Sequence, residues 1–300
     1  MKTQAISHSR AITTIREPIH GAIDLTCYER EIIDSPYYQR LHFVLQNSTT
    51  YTAYPSNKNS RFVHSLGVSY VCGEMLISAL RNSPKEELLE FLAEAASFVF
   101  EFGVEKKGRN TKTEEIRQKR LVEGWKRTIL GHSRFAHRSF LRTAAEPLCD
   151  TDVDKAELKG FEIGFLVDTL WEAVRICGLT HDIGHLPMSH SFEMALLKID
   201  ELLDQYPTHK RQSKANSIND DGIVAPLVAE HHDLLETFSG ISQDQLSKFL
   251  LDDIEVHERR SLMILEYIKE ADAFRHEEKD QETETGEYRE LVFSLALLIL

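Results

Sequence analysis

Apolar residues return every third or fourth position along most of this chain, and runs of Val, Ile and Thr in strict alternation are rare. That rhythm matches one face of a 3.6-residue turn, whereas a half-buried strand needs a period of two. The fold class expected is therefore mainly α. A helix starts near Ser60, where Val63, Leu66, Val68, Val71, Met75 and Leu76 supply an apolar face. It ends at Asn82-Ser83-Pro84, because the residue before a proline is driven out of the helical region. Further helices are expected over Leu88–Phe102, Phe161–Asp182, Ser189–Leu203, Pro226–Phe238 and Glu255–Ala273. The rhythm of Tyr28–Gln46 breaks at Ser35-Pro36. Asn47–Ser60 and Asp204–Asp221 read as polar loops, and Glu105–Arg120 as a flexible surface excursion or a solvated helix.

Three hundred residues, 42% of them hydrophobic, can bury a sizeable core, and no linker separates two domains. A formal charge of -13 argues against a surface that wraps nucleic acid or an anionic membrane, where Lys and Arg must face phosphate. Any anionic ligand must instead meet a local cluster of positive groups or a metal. No run reaches the roughly 18 apolar residues of a membrane span, and the N-terminus lacks the apolar core of a signal peptide. Cys27, Cys72, Cys149 and Cys177 lack CxxC spacing and sit mostly in apolar stretches, which suits a reducing, cytoplasmic interior. The chain stops on FSLALLIL without a cap or polar tail, so it is expected to be the N-terminal portion of something longer.

His181-Asp182 closes the apolar Phe161–Asp182 helix just before Gly184. An imidazole and a carboxylate at adjacent positions of a fraying helix end can both turn toward one divalent ion. Taken alone, the pair fits a helix-end His beside a solvated Asp equally well. His185 and His190 follow within ten residues, with Gly184 and Pro187 bending the chain between them. Packed imidazoles can bind metal, touch phosphate oxygens and move protons near neutral pH. Glu193 lies three residues past His190, within reach of it on one helix face. Arg61 and His64, one turn apart, place a guanidinium and a ligand on one face, or are an ordinary helix-start pair. His257, opening HERRSLMILEYI, stays open between the two readings. His231-His232-Asp233 is either a second cluster or the polar end of an apolar helix.

Taken in order, EPIHGAIDL, IIDSPYYQRLHFVLQ, RFVHSLGVSY, HDIGHLPMSHSFE and HERRSLMILEYI resemble segments of the HD-superfamily deoxynucleoside triphosphate triphosphohydrolases. That family holds bacterial dGTPase-like enzymes and a vertebrate enzyme with an added sterile-alpha-motif domain. The resemblance implies one helical HD domain over 1–300, in which 84–160 and 204–254 read as insertions. It implies that His64, His181 and Asp182 hold a divalent metal (Mn, Fe, Zn or Mg), and that the family's fourth ligand, an Asp, lies beyond residue 300. His190 then transfers the proton at the scissile phosphate, with Glu193 as its partner, while Arg61, His185 and His257 bind phosphates. Gln46 matches a position that touches the sugar 3′-hydroxyl, and Asn47 replaces a residue usually apolar. Asp34 and Gln39 match the segment where regulated members bind an activating guanine nucleotide; His42 and Arg16 depart from it.

The implied reaction is hydrolysis of a deoxynucleoside triphosphate to deoxynucleoside and triphosphate, in a homo-oligomer. Two rivals remain: an HD nucleotidase or phosphodiesterase using the same ligands, and a nucleotide-sensing scaffold without turnover. Product analysis separates them, since only a triphosphohydrolase releases tripolyphosphate.

Overall fold

A computed structural model describes residues 13–103, 111–126, 157–195, 198, 256–276 and 283–300. Two strands, β1 (Thr13–Glu17) and β2 (Gly21–Leu25), pair antiparallel with Thr13 opposite Leu25 and Glu17 opposite Gly21. This hairpin is the small β part of a chain that is mainly α, as expected. Its turn is tied by the Glu17 carboxylate, which accepts from the Ile19 N–H at 2.9 Å and from the His20 N–H, and Gly21 takes a φ of +80°. Thr26 then caps α1 (Cys27–Ile33): its hydroxyl accepts from Glu29 N–H, and the Glu29 carboxylate accepts from Thr26 N–H at 2.8 Å. Ser35 and Pro36 break the rhythm where expected and start the short α2 (Pro36–Gln39).

The core is built on α3 (Arg61–Asn82) and α6 (Ile163–Thr180), joined by α4 (Lys85–Gly103), α5 (Thr111–Trp125), α7 (Val256–His276) and α8 (Thr283–Ile299). Helix α6 buries Phe165, Leu166, Val167, Trp171, Ala173, Ile176 and Leu179, which lie all round its axis, so it is the central rod. A Cβ placed on Gly178 would fall 3.1 Å from the Ser69 Cα, and one on Gly73 would fall 2.8 Å from Trp171 Nε1. The two helices thus touch backbone to backbone. Contacts that move forward along α3 move backward along α6, so the helices are antiparallel and the start of α3 meets the end of α6.

An ion pair locks this arrangement from inside. Arg175 of α6 donates to Glu29 of α1 through Nε (2.6 Å) and Nη2 (2.9 Å), and Nη2 also reaches the Asp24 carbonyl at 3.0 Å. Removing one partner from so buried a pair typically costs about 3–5 kcal/mol, because the other charge is left without compensation.

Of the two readings of Glu105–Arg120, the solvated helix holds over 111–120, where the described side chains of α5 are exposed or half-buried. Farther along, α5 buries Leu121 and Trp125, the latter against Phe165 and Asp168 of α6, and α4 buries Leu88, Leu92, Ala96 and Val99. The stretch without family resemblance therefore contributes core. Against expectation, α3 is long and apolar enough by composition to cross a membrane, with a mean hydropathy of 1.3 over its best window. Here it is a core helix packed on α6. The Pro226–Phe238 helix, the Asp204–Asp221 loop and His231-His232-Asp233 lie outside the described residues.

Candidate active site

The antiparallel pair brings His64, in the first turn of α3, beside His181 at the C-terminus of α6, with ring centroids 5.4 Å apart. Asp182 sits between them. Its Oδ2 lies 3.5 Å from His64 Nε2 and 3.3 Å from His181 Nε2, and it accepts from Arg61 Nη1. Two donors about 2.0–2.1 Å from one tetrahedral ion stand about 3.3–3.4 Å apart, so these separations match a ligand set.

Tautomers sharpen the match. His181 Nδ1 donates to the Gly178 carbonyl at 2.7 Å. Burial lowers His181, but the hydrogen bond and charge of Asp182 raise it overall, so without an ion a proton on Nε2 faces Asp182, and a divalent cation would take that proton's place. Burial alone would raise the Asp182 carboxyl, but hydrogen bonds from His181 and His185 and the charge of Arg61 hold it well below the usual carboxylate range. Burial lowers His64 against the Asp182 charge, which raises it, and the His181 and Arg61 charges add to the lowering, which favours the neutral ring that can act as a ligand. One carboxylate with two imidazoles fits a borderline divalent metal.

A second group adjoins the first. Glu193 Oε2 meets His190 Nδ1 at 3.1 Å, and its Oε1 meets His257 Nδ1 at 3.1 Å and His185 Nδ1 at 3.5 Å. His185 and His257 stack face to face, 3.8 Å between centroids and 12° between planes. Two imidazoles on one tetrahedral ion, with Zn–N near 2.0 Å, hold their centroids about 5 Å apart. The trio shows such a splay, as do His185–His190 (4.9 Å) and His190–His257 (5.3 Å) in the second group, whereas the stacked pair does not, so His185 and His257 do not both ligate one ion. The quartet is thus built around a carboxylate that fixes imidazole tautomers. His185 joins the groups, for its Nε2 lies 3.2 Å from Asp182 Oδ1.

The local chain explains the placement. After α6 ends, Met188 and Ser189 adopt φ of +67° and +48°, a left-handed pair that side chains rarely take. The Ser189 hydroxyl accepts from Arg61 Nε at 2.9 Å and donates to the Leu45 carbonyl at 3.2 Å. This tie turns the chain into the short helix 190–195, and Arg61 links Asp182 to it. Gln46 follows directly on Leu45 and is half-buried.

Of the residues picked from sequence, eight come together: Arg61, His64, His181, Asp182, His185, His190, Glu193 and His257. The three assigned to phosphates are buried, and His185 is only 1% exposed, with its Nδ1 lacking a hydrogen-bond partner. Burial also lowers its pKa. The His190 side chain is 60% exposed and forms the open rim. Sequence reasoning missed Arg40, Ser189 and Ser261, which act on backbone atoms and carry no motif of their own. Arg40 donates to the carbonyls of Ile183 and His185, and the Ser261 hydroxyl bridges His181 and Gly184.

No family model matches the chain. It is 35% identical over 83 residues to human deoxynucleoside triphosphate triphosphohydrolase SAMHD1, a match covering 28% of this chain and 13% of that protein. The zebrafish SAMHD1 is 40% identical over 70 residues, or 23% of this chain and 11% of the relative. The Dictyostelium discoideum SAMHD1 homolog is 32% identical over 84 residues, or 28% of this chain and 16% of the relative. The match thus spans about an eighth of the length of the human relative. Over that stretch the chain is related to the HD-type deoxynucleoside triphosphate triphosphohydrolases.

Proposed function

We propose that this chain is a metal-dependent hydrolase that splits deoxynucleoside triphosphates into deoxynucleoside and tripolyphosphate. The observation that carries the reading is the junction of two groups through one buried imidazole: a trio shaped for an ion, and a carboxylate-held proton carrier beside it. The relatives named above carry that activity in their names.

His64, His181 and Asp182 would hold a divalent ion, which would supply positive charge against the phosphates and lower the pKa of a bound water. The rest is the work of the chain. Arg61, fixed by Asp182 and Ser189, gives the floor of the site a permanent positive charge. Glu193 accepts from His190 Nδ1, so proton exchange with the substrate falls to Nε2. Water attacks the α-phosphorus and releases its proton to solvent, the bond from phosphorus to the 5′-oxygen breaks, and His190 Nε2 protonates that oxygen as the deoxynucleoside leaves, regaining its proton from solvent. His257, held by the same carboxylate, turns its other ring nitrogen toward the phosphates, while the buried His185 meets Asp182 through Nε2 and packs between the two groups. Gln46 is placed to meet the sugar.

The test is to incubate the full-length protein with each of the four dNTPs and Mn²⁺ or Mg²⁺, and resolve products by anion exchange. Nucleoside with tripolyphosphate is the expected result. Monophosphate with pyrophosphate, or no product from any dNTP, would remove the reading.

A further inference from the structure

We infer that Ser261, one helical turn past His257 on α7, is a positioning residue for the turn that carries the metal ligands; this rests on the metal reading above. Its hydroxyl donates to the His181 carbonyl at 2.8 Å and accepts from the Gly184 N–H at 2.9 Å. One buried side chain, about 80 residues away in sequence, thus satisfies both ends of the segment that contains Asp182.

The need for such a tie follows from helix chemistry. The last carbonyls of a helix have no partner within it, and His181 is the capping residue of α6. Left alone, a helix end frays, and the two ligand side chains would fray with it. A metal site tolerates deviations of only about 0.2 Å in ligand distance. Ser261 holds the turn from the α7 side, while Arg40 holds the Ile183 and His185 carbonyls from the other.

Gly184 makes the tie possible. A Cβ at that position would fall 2.0 Å from the His257 carbonyl oxygen and 2.6 Å from the Ser261 nitrogen. Only a glycine lets α7 come close enough for a serine hydroxyl to span both backbone groups. The same approach brings His257 over His185, so one contact sets the position of both histidine groups.

The experiment measures Mn²⁺ affinity of the full-length protein from the paramagnetic resonance of free Mn²⁺, alongside Tm, for wild type, Ser261→Ala, His181→Ala and Leu265→Val. Leu265 is a buried core residue one turn further along α7, so its truncation loosens the same helix without touching the turn. Ser261→Ala is expected to weaken Mn²⁺ binding about tenfold, the lower end for groups that support a ligand. Leu265→Val should leave Mn²⁺ affinity unchanged despite a lower Tm, and His181→Ala should abolish binding. Equal weakening in Ser261→Ala and Leu265→Val would show mere loosening and overturn the positioning role. Unchanged affinity in Ser261→Ala, with binding lost in His181→Ala, would overturn it and leave the metal reading standing. Unchanged binding in His181→Ala would remove the metal reading and this inference with it. Ser261→Cys, which fills the same space with a poorer hydrogen-bonding group, gives the same comparison should Ser261→Ala not fold.

Discussion

The two histidine groups share a wall yet are made for different work. In the trio, the rings of His64 and His181 stand apart, and their Nε2 atoms face one oxygen of Asp182. In the quartet, His185 and His257 lie flat on each other, and all three Nδ1 atoms turn toward Glu193. The stacked pair marks the difference, because His185 and His257 cannot both share an ion and also stack, although His190 stands splayed from each of them. Composition is therefore a poor guide: both groups are His plus carboxylate, and ring geometry sets their chemistry.

The hardest test of that distinction is Asp182→Asn. It keeps the shape but halves the carboxylate, and it is expected to abolish Mn²⁺ binding and bring dNTP turnover below detection. Mn²⁺ binding retained at full strength would erase the difference between the groups. Glu193→Gln comes next, with turnover down about 10²–10⁴-fold, the range for a lost acid–base contribution, and Mn²⁺ affinity unchanged. Metal titration and steady-state rates together check this, and parallel loss of both would put an ion in the quartet. Smallest in its effect on turnover is Glu172→Gln, which lies on α6 in neither group. Burial pushes Glu172 up to about 8, so the fold favours its neutral form. Its stabilising effect is complete below the unfolded value of 4.5 and is lost as pH rises through about 8. The variant should flatten the stability profile across that window and gain a few kcal/mol at higher pH, read by denaturant melts at several pH values. A profile as steep in the variant as in the wild type would move the pH dependence onto the histidines.

Much of the site was legible because its residues sit at helical spacing or side by side: His181 with Asp182, His190 with Glu193, Arg61 with His64. The mainly α class was legible for the same reason. What stayed hidden acts across long gaps in the chain through backbone atoms. Nothing in HERRSLMILEYI distinguishes Ser261 from any helical serine, and Arg40 reads as one basic residue among many. The hairpin escaped because five-residue strands show too little alternation against a helical background. The burial of His185 escaped because the distant helix that carries His257 covers it.

The docking of α7 also has a kinetic meaning. Glu193 and His257 are 64 residues apart in sequence, and Arg40 is 145 residues from the carbonyl of His185 that it holds. Closing loops of that size is entropically opposed until the final contacts form, so native interactions here are expected to be absent from the folding transition state. Substitutions at Ser261 or His257 should then speed unfolding and leave the refolding rate nearly unchanged. On this expectation the contacts of α7 with the candidate site form late in folding and are lost early in unfolding.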